Sequence, residues 1–319
     1  MLEVRPIEDL EAACRLWLDH WPRLGLFDLW PVRACFQGPF GRRPLFLAAE
    51  RSGETVGLLA LSWIEEEGRF GHFPGETWHG ETWLEQNRIV ARDEEVRQEL
   101  LARVPGPVQL RYLCSEAMPA GAEVDEVGYL FFPQRYGYSY DTYLQEFSGK
   151  SRKKLGRELD AIKAPGLVYR HDRLADVDYV FSMNLSAFEE RSYFHDHRFL
   201  SSVEALVAWL ETQGMLRVTT VLLGGKVAAV DIGAVWGSSY TLLAGGVNPE
   251  FPGVAKLINF HHLEWACARR LEMVDFLCGD FGWKARFHLT PRPLYKLEHP
   301  GEKPAFGDDL GGSATAYVV

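Results

Sequence analysis

The chain has 319 residues, 47% hydrophobic and 24% charged, which is an ordinary globular composition with enough apolar content for a sizeable core, and the length predicts about two domains. The formal net charge of −10 lies in the first half: residues 1–149 hold 14 Arg, no Lys and 24 acidic residues, which argues against broad nucleic-acid binding there. No apolar run reaches the ~18 residues of a bilayer span, and the five cysteines form no CxxC pair, so neither a disulfide scaffold nor a zinc site is expected.

The opening residues, Met1–Ile7, read as the start of a domain and not as a basic, apolar leader, so a cytoplasmic location is expected. A strand is predicted at Leu2–Arg5, then a helix over Asp9–Trp21 with Leu10, Ala13, Cys14, Trp17 and Leu18 facing a core, then a short helix over Trp30–Phe36. Leu45–Arg51 and Thr55–Trp63 read as a hairpin around Ser52-Gly53-Glu54, and Arg69–Phe73 as a third strand. The tetrapeptide Gly-Glu-Thr-Trp then occurs twice, bringing Trp78, Trp83, two glutamates and His79 close together. This is either an aromatic loop over the sheet edge or the lining of a substrate pocket. A helix over Asp93–Arg103 follows, with Val96, Leu100 and Leu101 inward, then a strand at Val108–Leu113 and a short helix over Thr142–Phe147.

Lys150, Arg152, Lys153, Lys154 and Arg157 make the dense basic cluster of the chain, on a helix over Ser151–Ile162 that Pro165-Gly166 ends. It reads as a solvated helix or as a grip for an anion, a nucleotide phosphate or a tRNA backbone. A helix over Ser201–Gln213 leads into strands at Met215–Leu223, Lys226–Trp236 and Ser239–Val247, the first two joined by Gly224-Gly225. Asn248, Pro249, Pro252 and Gly253 break the chain before a helix over Ala255–Arg270. A helix that starts just past a glycine turn points free N–H groups and a positive dipole end at whatever sits above the turn, which suits phosphate. Strands at Met273–Cys278 and Pro293–Glu298 close the order, and Glu302–Val319 reads as a loose tail.

Helices, an antiparallel meander, a glycine turn opening a helix, and two more strands: this order resembles the GNAT acyltransferase fold. The turn Glu250-Phe251-Pro252-Gly253-Val254-Ala255 keeps the Gly and Ala of that family's pattern and places Glu where it has Arg or Gln. Phe147–Leu159, Ala187–Arg191 and the run Asp275–Lys284 further resemble CelD/BcsL-type and FemAB-like acyltransferases, which carry two GNAT-type domains in tandem. The resemblance implies an α/β (α+β) chain of two domains, each a mixed, largely antiparallel sheet flanked by helices. Residues 1–147 would be the first, 148–165 a basic helical linker, 166–300 the second and 301–319 a tail.

It also implies an acyl-CoA cosubstrate, no metal, and an amine or hydroxyl acceptor between the domains, either a small molecule or a peptidoglycan or polysaccharide precursor. Aminoacyl transfer from tRNA is the alternative, and a non-catalytic binding module, favoured by Glu250, is a third reading. Backbone groups at Val247, Gly253, Val254, Ala255 and Lys256 would hold the donor's phosphates. Lys284 would contact a phosphate or the developing oxyanion, or be a surface lysine; Asp280 would orient it, act as base or simply form the turn; and Tyr240 would donate to the leaving thiolate or, the favoured reading, pack as a core tyrosine. Arg191 would fork onto an anionic group of the acceptor or form a structural salt bridge to Glu189, Asp196 or Asp231, and Trp78 and Trp83 would help line the acceptor pocket. The fragment Gly-Asp-Phe-Gly lacks every other kinase element. His195 and His197 lack a third metal ligand at a recognisable spacing. Cys278 and the helix histidines His261 and His262 read as packed residues.

Overall fold

The computed structural model describes residues 1–114, 121–279 and 282–301. Its first half runs β1 (Leu2–Ile7), α1 (Leu10–His20), α2 (Trp30–Phe40), β2 (Pro44–Arg51), β3 (Glu54–Ile64), β4 (Arg69–His72), β5 (Val90–Ala91), α3 (Glu94–Ala102) and β6 (Val108–Leu113). β7 (Glu123–Phe131), α4 (Tyr140–Tyr143) and α5 (Gly149–Lys163) lead across to the second half. There follow β8 (Leu167–His171), α6 (Val177–Phe188), α7 (His197–Thr212), β9 (Leu216–Leu223), β10 (Lys226–Trp236), β11 (Ser239–Val247), α8 (Val254–Ala268), β12 (Met273–Asp275) and β13 (Thr290–His299).

All thirteen strands belong to one sheet, ordered β1-β2-β3-β4-β6-β13-β7-β12-β11-β10-β9-β8, with β5 beside β3. The order reads the same from both ends: four strands and a fifth form each wing, and the last strand of each half lies in the other. β7, which follows β6, pairs with β12 of the second half, and β13, which follows β12, pairs with β6 of the first. The two exchanged strands pair with each other antiparallel from Thr290↔Leu130 to Lys296↔Glu123.

Local chemistry accounts for the wings. Apolar residues fill the middles of β2, β3, β9 and β10, which are covered on both faces. Gly224 and Gly225, at φ 57° and 79°, make the tight turn between β9 and β10. Asp9, Asp93 and Asp196 cap α1, α3 and α7 by accepting from the amides of Ala12, Val96 and Arg198. The capped Asp196 starts α7 four residues before the predicted Ser201. One core joins the halves: Phe27, Val32 and Phe36 of the first pack with Phe199, Leu206, Val230 and Leu277 of the second. α3 covers the opposite face in the first half, and α5 with α8 in the second. Among the described residues no helix is long and apolar enough to cross a membrane. The predicted tail, 302–319, lies outside the described residues.

Candidate active site at the junction of the two halves

β11 and β12 run parallel for three pairs, Ser239↔Met273, Tyr240↔Val274 and Thr241↔Asp275, and then part. At the same level β11 bulges: Ile232 of β10 faces Ala244 while Gly233 faces Leu242, so Leu243 is the extra residue. A bulge bends its strand and re-aims the backbone beyond it. Leu242–Val247 therefore keep β10 on one side and have no described strand on the other, and Gly245 and Val247 are exposed within a strand that is otherwise central. Gly245 faces Asp231 across the ladder, and a Cβ there would overlap Asp231 Oδ1. The wedge floor thus requires glycine.

The open edge leads to the turn before α8. Gly253 is the N-cap at φ 84°, where no side chain caps the helix, and Gly253 and Ala255 are exposed. A Cβ on Gly253 would sit 2.9 Å from Ile162 of α5. The Glu250 carboxylate reaches Lys226 Nζ at 3.4 Å, so a cation partly offsets the acid at the turn.

The equivalent wedge of the first half is filled. β4 meets β6 at Phe70↔Val108, and the segment after it, including both Gly-Glu-Thr-Trp copies, folds back into the gap. Asn87 occupies the place of a strand partner: its N–H donates to the Tyr112 carbonyl and its carbonyl accepts from Cys114, both at 2.9 Å. Glu76 Oε1 accepts from the Thr82 hydroxyl and the amides of Trp83 and Leu84, closing the plug on itself.

The plug delivers polar side chains to the far end of the open wedge. Gln86 donates to Asp275 Oδ2 at 2.8 Å, and Arg292 of β13 forks onto the same carboxylate at 2.9 and 3.1 Å. Asp275 Oδ1 also accepts the Leu277 amide at 2.9 Å. Leu277 sits at φ 54°, which ends β12 at Asp275, short of the predicted Cys278. Glu85 Oε1 accepts the Cys278 amide at 2.7 Å. Burial, reinforced by the Asp275 charge, pushes the Glu85 carboxyl up to about 7 against the pull of the Cys278 amide and Arg292. Burial and the Glu85 carboxylate push the Cys278 thiol far up, which removes it as a thiolate nucleophile. Gln86, Tyr112 and Leu277 all lie at positive φ, between 54° and 60°. Two of these, Gln86 and Leu277, bond the one Asp275 carboxylate, and left-handed non-glycine residues there mark a strained, over-determined site.

The expected site residues fall as follows. Lys284 is 3% exposed, and its ammonium donates to the carbonyls of Phe276, Leu277 and Cys278 at 2.8, 2.8 and 2.5 Å. Burial lowers its pKa. It holds the backbone beyond β12 from inside, a correction to its expected place facing the substrate. Asp280 lies outside the described residues. Tyr240 is fully buried between α8 and the sheet, its hydroxyl unpartnered and its ring 5.3 Å from those of His262 and Trp265. It is walled off from a leaving thiolate. Val247 and Ala255 are exposed, Val254 is buried, and Lys256 is ion-paired with Glu158. Trp83 is partly buried and packs against Phe27, Phe36 and Phe199 of the shared core. Trp78 is half-buried against Tyr193, with ring centroids 5.3 Å apart. Arg191 is exposed, with no described ion pair.

Sequence reasoning misses Glu85, Gln86, Tyr112 and Arg292 as site residues and assigns Asp275 no role. The usable signal was charge inside apolar runs: Asp275 in Met-Val-Asp-Phe-Leu, and Glu85-Gln86-Asn87 after Trp83-Leu84.

Residues 149–285 match the family model described as "Acetyltransferase (GNAT) domain". Solved structures of similar fold include FemX, at 11% identity and TM-score 0.56, covering 92% of this chain and 96% of that one. They also include a tandem GNAT protein from the clavulanic acid biosynthesis pathway, at 14% identity and TM-score 0.51, covering 95% and 100%. L-PGS from Bacillus licheniformis matches at 10% identity and TM-score 0.52, covering 94% and 93%. No curated protein sequence matches the chain. The bulged wedge and the glycine-capped helix thus lie inside the segment that matches a GNAT acetyltransferase domain, and the two-half fold as a whole is similar to those of FemX and the tandem GNAT protein.

Proposed function

We propose that the donor is an acyl-CoA and that its acyl group passes to an amine or hydroxyl acceptor entering at the junction of the halves. The observation that supports this is the open edge of β11 beyond its bulge, which runs from the uncapped turn at Gly253 to the carboxylates at Asp275 and Glu85. An extended donor carrying amide groups can add to such an edge as a strand would. The amides at Gly253–Lys256 suit its phosphates, and the glycine at 245 leaves the backbone accessible. The donor supplies the activated thioester. The chain supplies alignment and a dry, polar junction.

Titration calorimetry with acetyl-CoA and with desulfo-CoA, together with release of free thiol in the presence of hydroxylamine as a small acceptor, tests this. Saturable binding and acceptor-dependent thiol release are expected. No binding of any acyl-CoA would remove the donor assignment.

A second donor, aminoacyl-tRNA, is favoured by one observation: Lys150, Arg152 and Lys153 are exposed on α5 and have no described carboxylate partner. Ribonuclease-sensitive transfer of a labelled amino acid would select it. FemX and L-PGS, similar in fold, leave both donors open.

A further inference from the structure

Among the described residues, four groups at the junction have the chemistry to take a proton from an acceptor, and three are committed. Asp275 is held by Arg292, Gln86 and the Leu277 amide. Asp231 is paired with His262 beneath α8. The Cys278 thiol is held protonated. Glu85 differs: Oε1 is fixed by the Cys278 amide, while Oε2 is buried and has no hydrogen-bond partner among the described residues, with the nearest Arg292 nitrogen 3.9 Å away. Its residue is 5% exposed, so the orphan oxygen is desolvated, a state that buried polar atoms seldom keep without a role.

We propose that Glu85, a residue of the first half, is the general base of the transfer carried out in the wedge of the second half, an assignment that rests on the acyl-transfer reading above. The plug is then more than a vestige. By filling its own wedge it carries a carboxylate across the pseudo-symmetric boundary to the Cys278 amide, three residues past the point where β11 and β12 part. As the acceptor's lone pair attacks the thioester carbonyl, its N–H or O–H proton passes to Glu85 Oε2. The C–S bond breaks, the thiolate takes up one proton, and Glu85 gives up the one it received, so no co-reactant is needed.

The electrostatics agree with that role. Asp275 raises Glu85, while Arg292 and the amide and thiol of Cys278 lower it. Among the described residues the Tyr112 and Tyr193 phenols and the Lys284 ammonium also act on it, and both phenols stay protonated through burial. The balance leaves Glu85 near 7, where a base is both available and strong enough to act. Its single fixed oxygen holds its orientation without occupying the reactive one.

Glu85→Gln keeps an oxygen for the Cys278 amide and removes the basic site. The measurement is thiol release from acetyl-CoA with hydroxylamine, from pH 5.5 to 9, on the full chain, alongside binding of desulfo-CoA and carboxyl titration followed by infrared difference spectroscopy. In the wild type, kcat should rise tenfold per pH unit below about 7 and then level off. In Glu85→Gln kcat should fall at least 100-fold with desulfo-CoA affinity unchanged, and the carboxyl band titrating near 7 should vanish. Wild-type turnover with an unchanged rate and pH limb in Glu85→Gln would overturn the base assignment and leave the acyltransferase reading standing. A Glu85 carboxyl that titrates near 4.5 would overturn it whatever the turnover. A wild type that neither binds desulfo-CoA nor releases thiol would overturn the donor reading, and this assignment with it.

Discussion

His262 Nε2 and Asp231 Oδ2 lie 2.8 Å apart beneath α8, both side chains almost wholly buried. The pair ties the helix that opens at the phosphate turn to the strand whose neighbour, Gly245, floors the wedge. Truncating either partner leaves the other's polar atoms in an apolar space. His262→Ala should therefore lower the unfolding free energy by about 3 kcal/mol, read from the midpoint of urea denaturation. It should also weaken desulfo-CoA binding, because the turn moves with the helix. An unchanged midpoint would show that the pair does not anchor α8.

Glu85 also sets a pH dependence of stability. Its carboxyl rises from 4.5 in the open chain to about 7 in the fold, so the native state binds that proton more tightly. Stability from this group is complete below about 4.5 and is lost as pH rises through 7. Glu85→Gln should match the wild type at pH 4.5 and exceed it at pH 8, by at most about 3 kcal/mol. Parallel urea titrations at the two pH values measure the difference.

Lys284 holds three carbonyls that no other described group satisfies as directly. Replacing it with Met removes the donors and leaves those acceptors buried. The expected loss is about 2–4 kcal/mol, with turnover falling along with the positioning of Cys278. A Lys284→Met protein of wild-type stability and no activity would instead return the ammonium to the reacting atoms.

The phosphate turn makes two opposed predictions. Gly253→Val forces a branched side chain into φ 84° and against Ile162, and should abolish donor binding while costing about 1–3 kcal/mol of stability. Glu250→Gln should change donor affinity less than about threefold, because Lys226 already faces that carboxylate across an exposed surface. A tenfold gain would mean that Glu250 acts as a gate against phosphate.

The second half was legible because its chemistry is local. The β9–β10 glycine turn, the strand ends at Leu223 and Trp236, and the helix after Gly253 follow from turn residues and periodicity within short windows. The junction was not legible, because it depends on residues 189 positions apart, as Gln86 and Asp275 are. Lys284 illustrates the same limit. Its place near the end of β12 could be read from the sequence, but its direction follows from the turn at Leu277, whose φ of 54° curls three carbonyls around the ammonium. The two tryptophans show the limit too, because a repeated tetrapeptide says nothing about which way each copy turns. Trp78 turns to Tyr193 at the edge and Trp83 to the shared core.

The exchange of β7 and β13 governs how the protein is made. While the nascent chain is still on the ribosome, β6 has no neighbour on its inner side until Thr290–His299 has emerged, so the part synthesised first is the part completed last. Released chains ending at residue 289 should stay protease-sensitive in the early wing, and released chains ending at residue 301 should resist. Resistance of the early wing before that point would show that the swap is a late ornament and not a closing step.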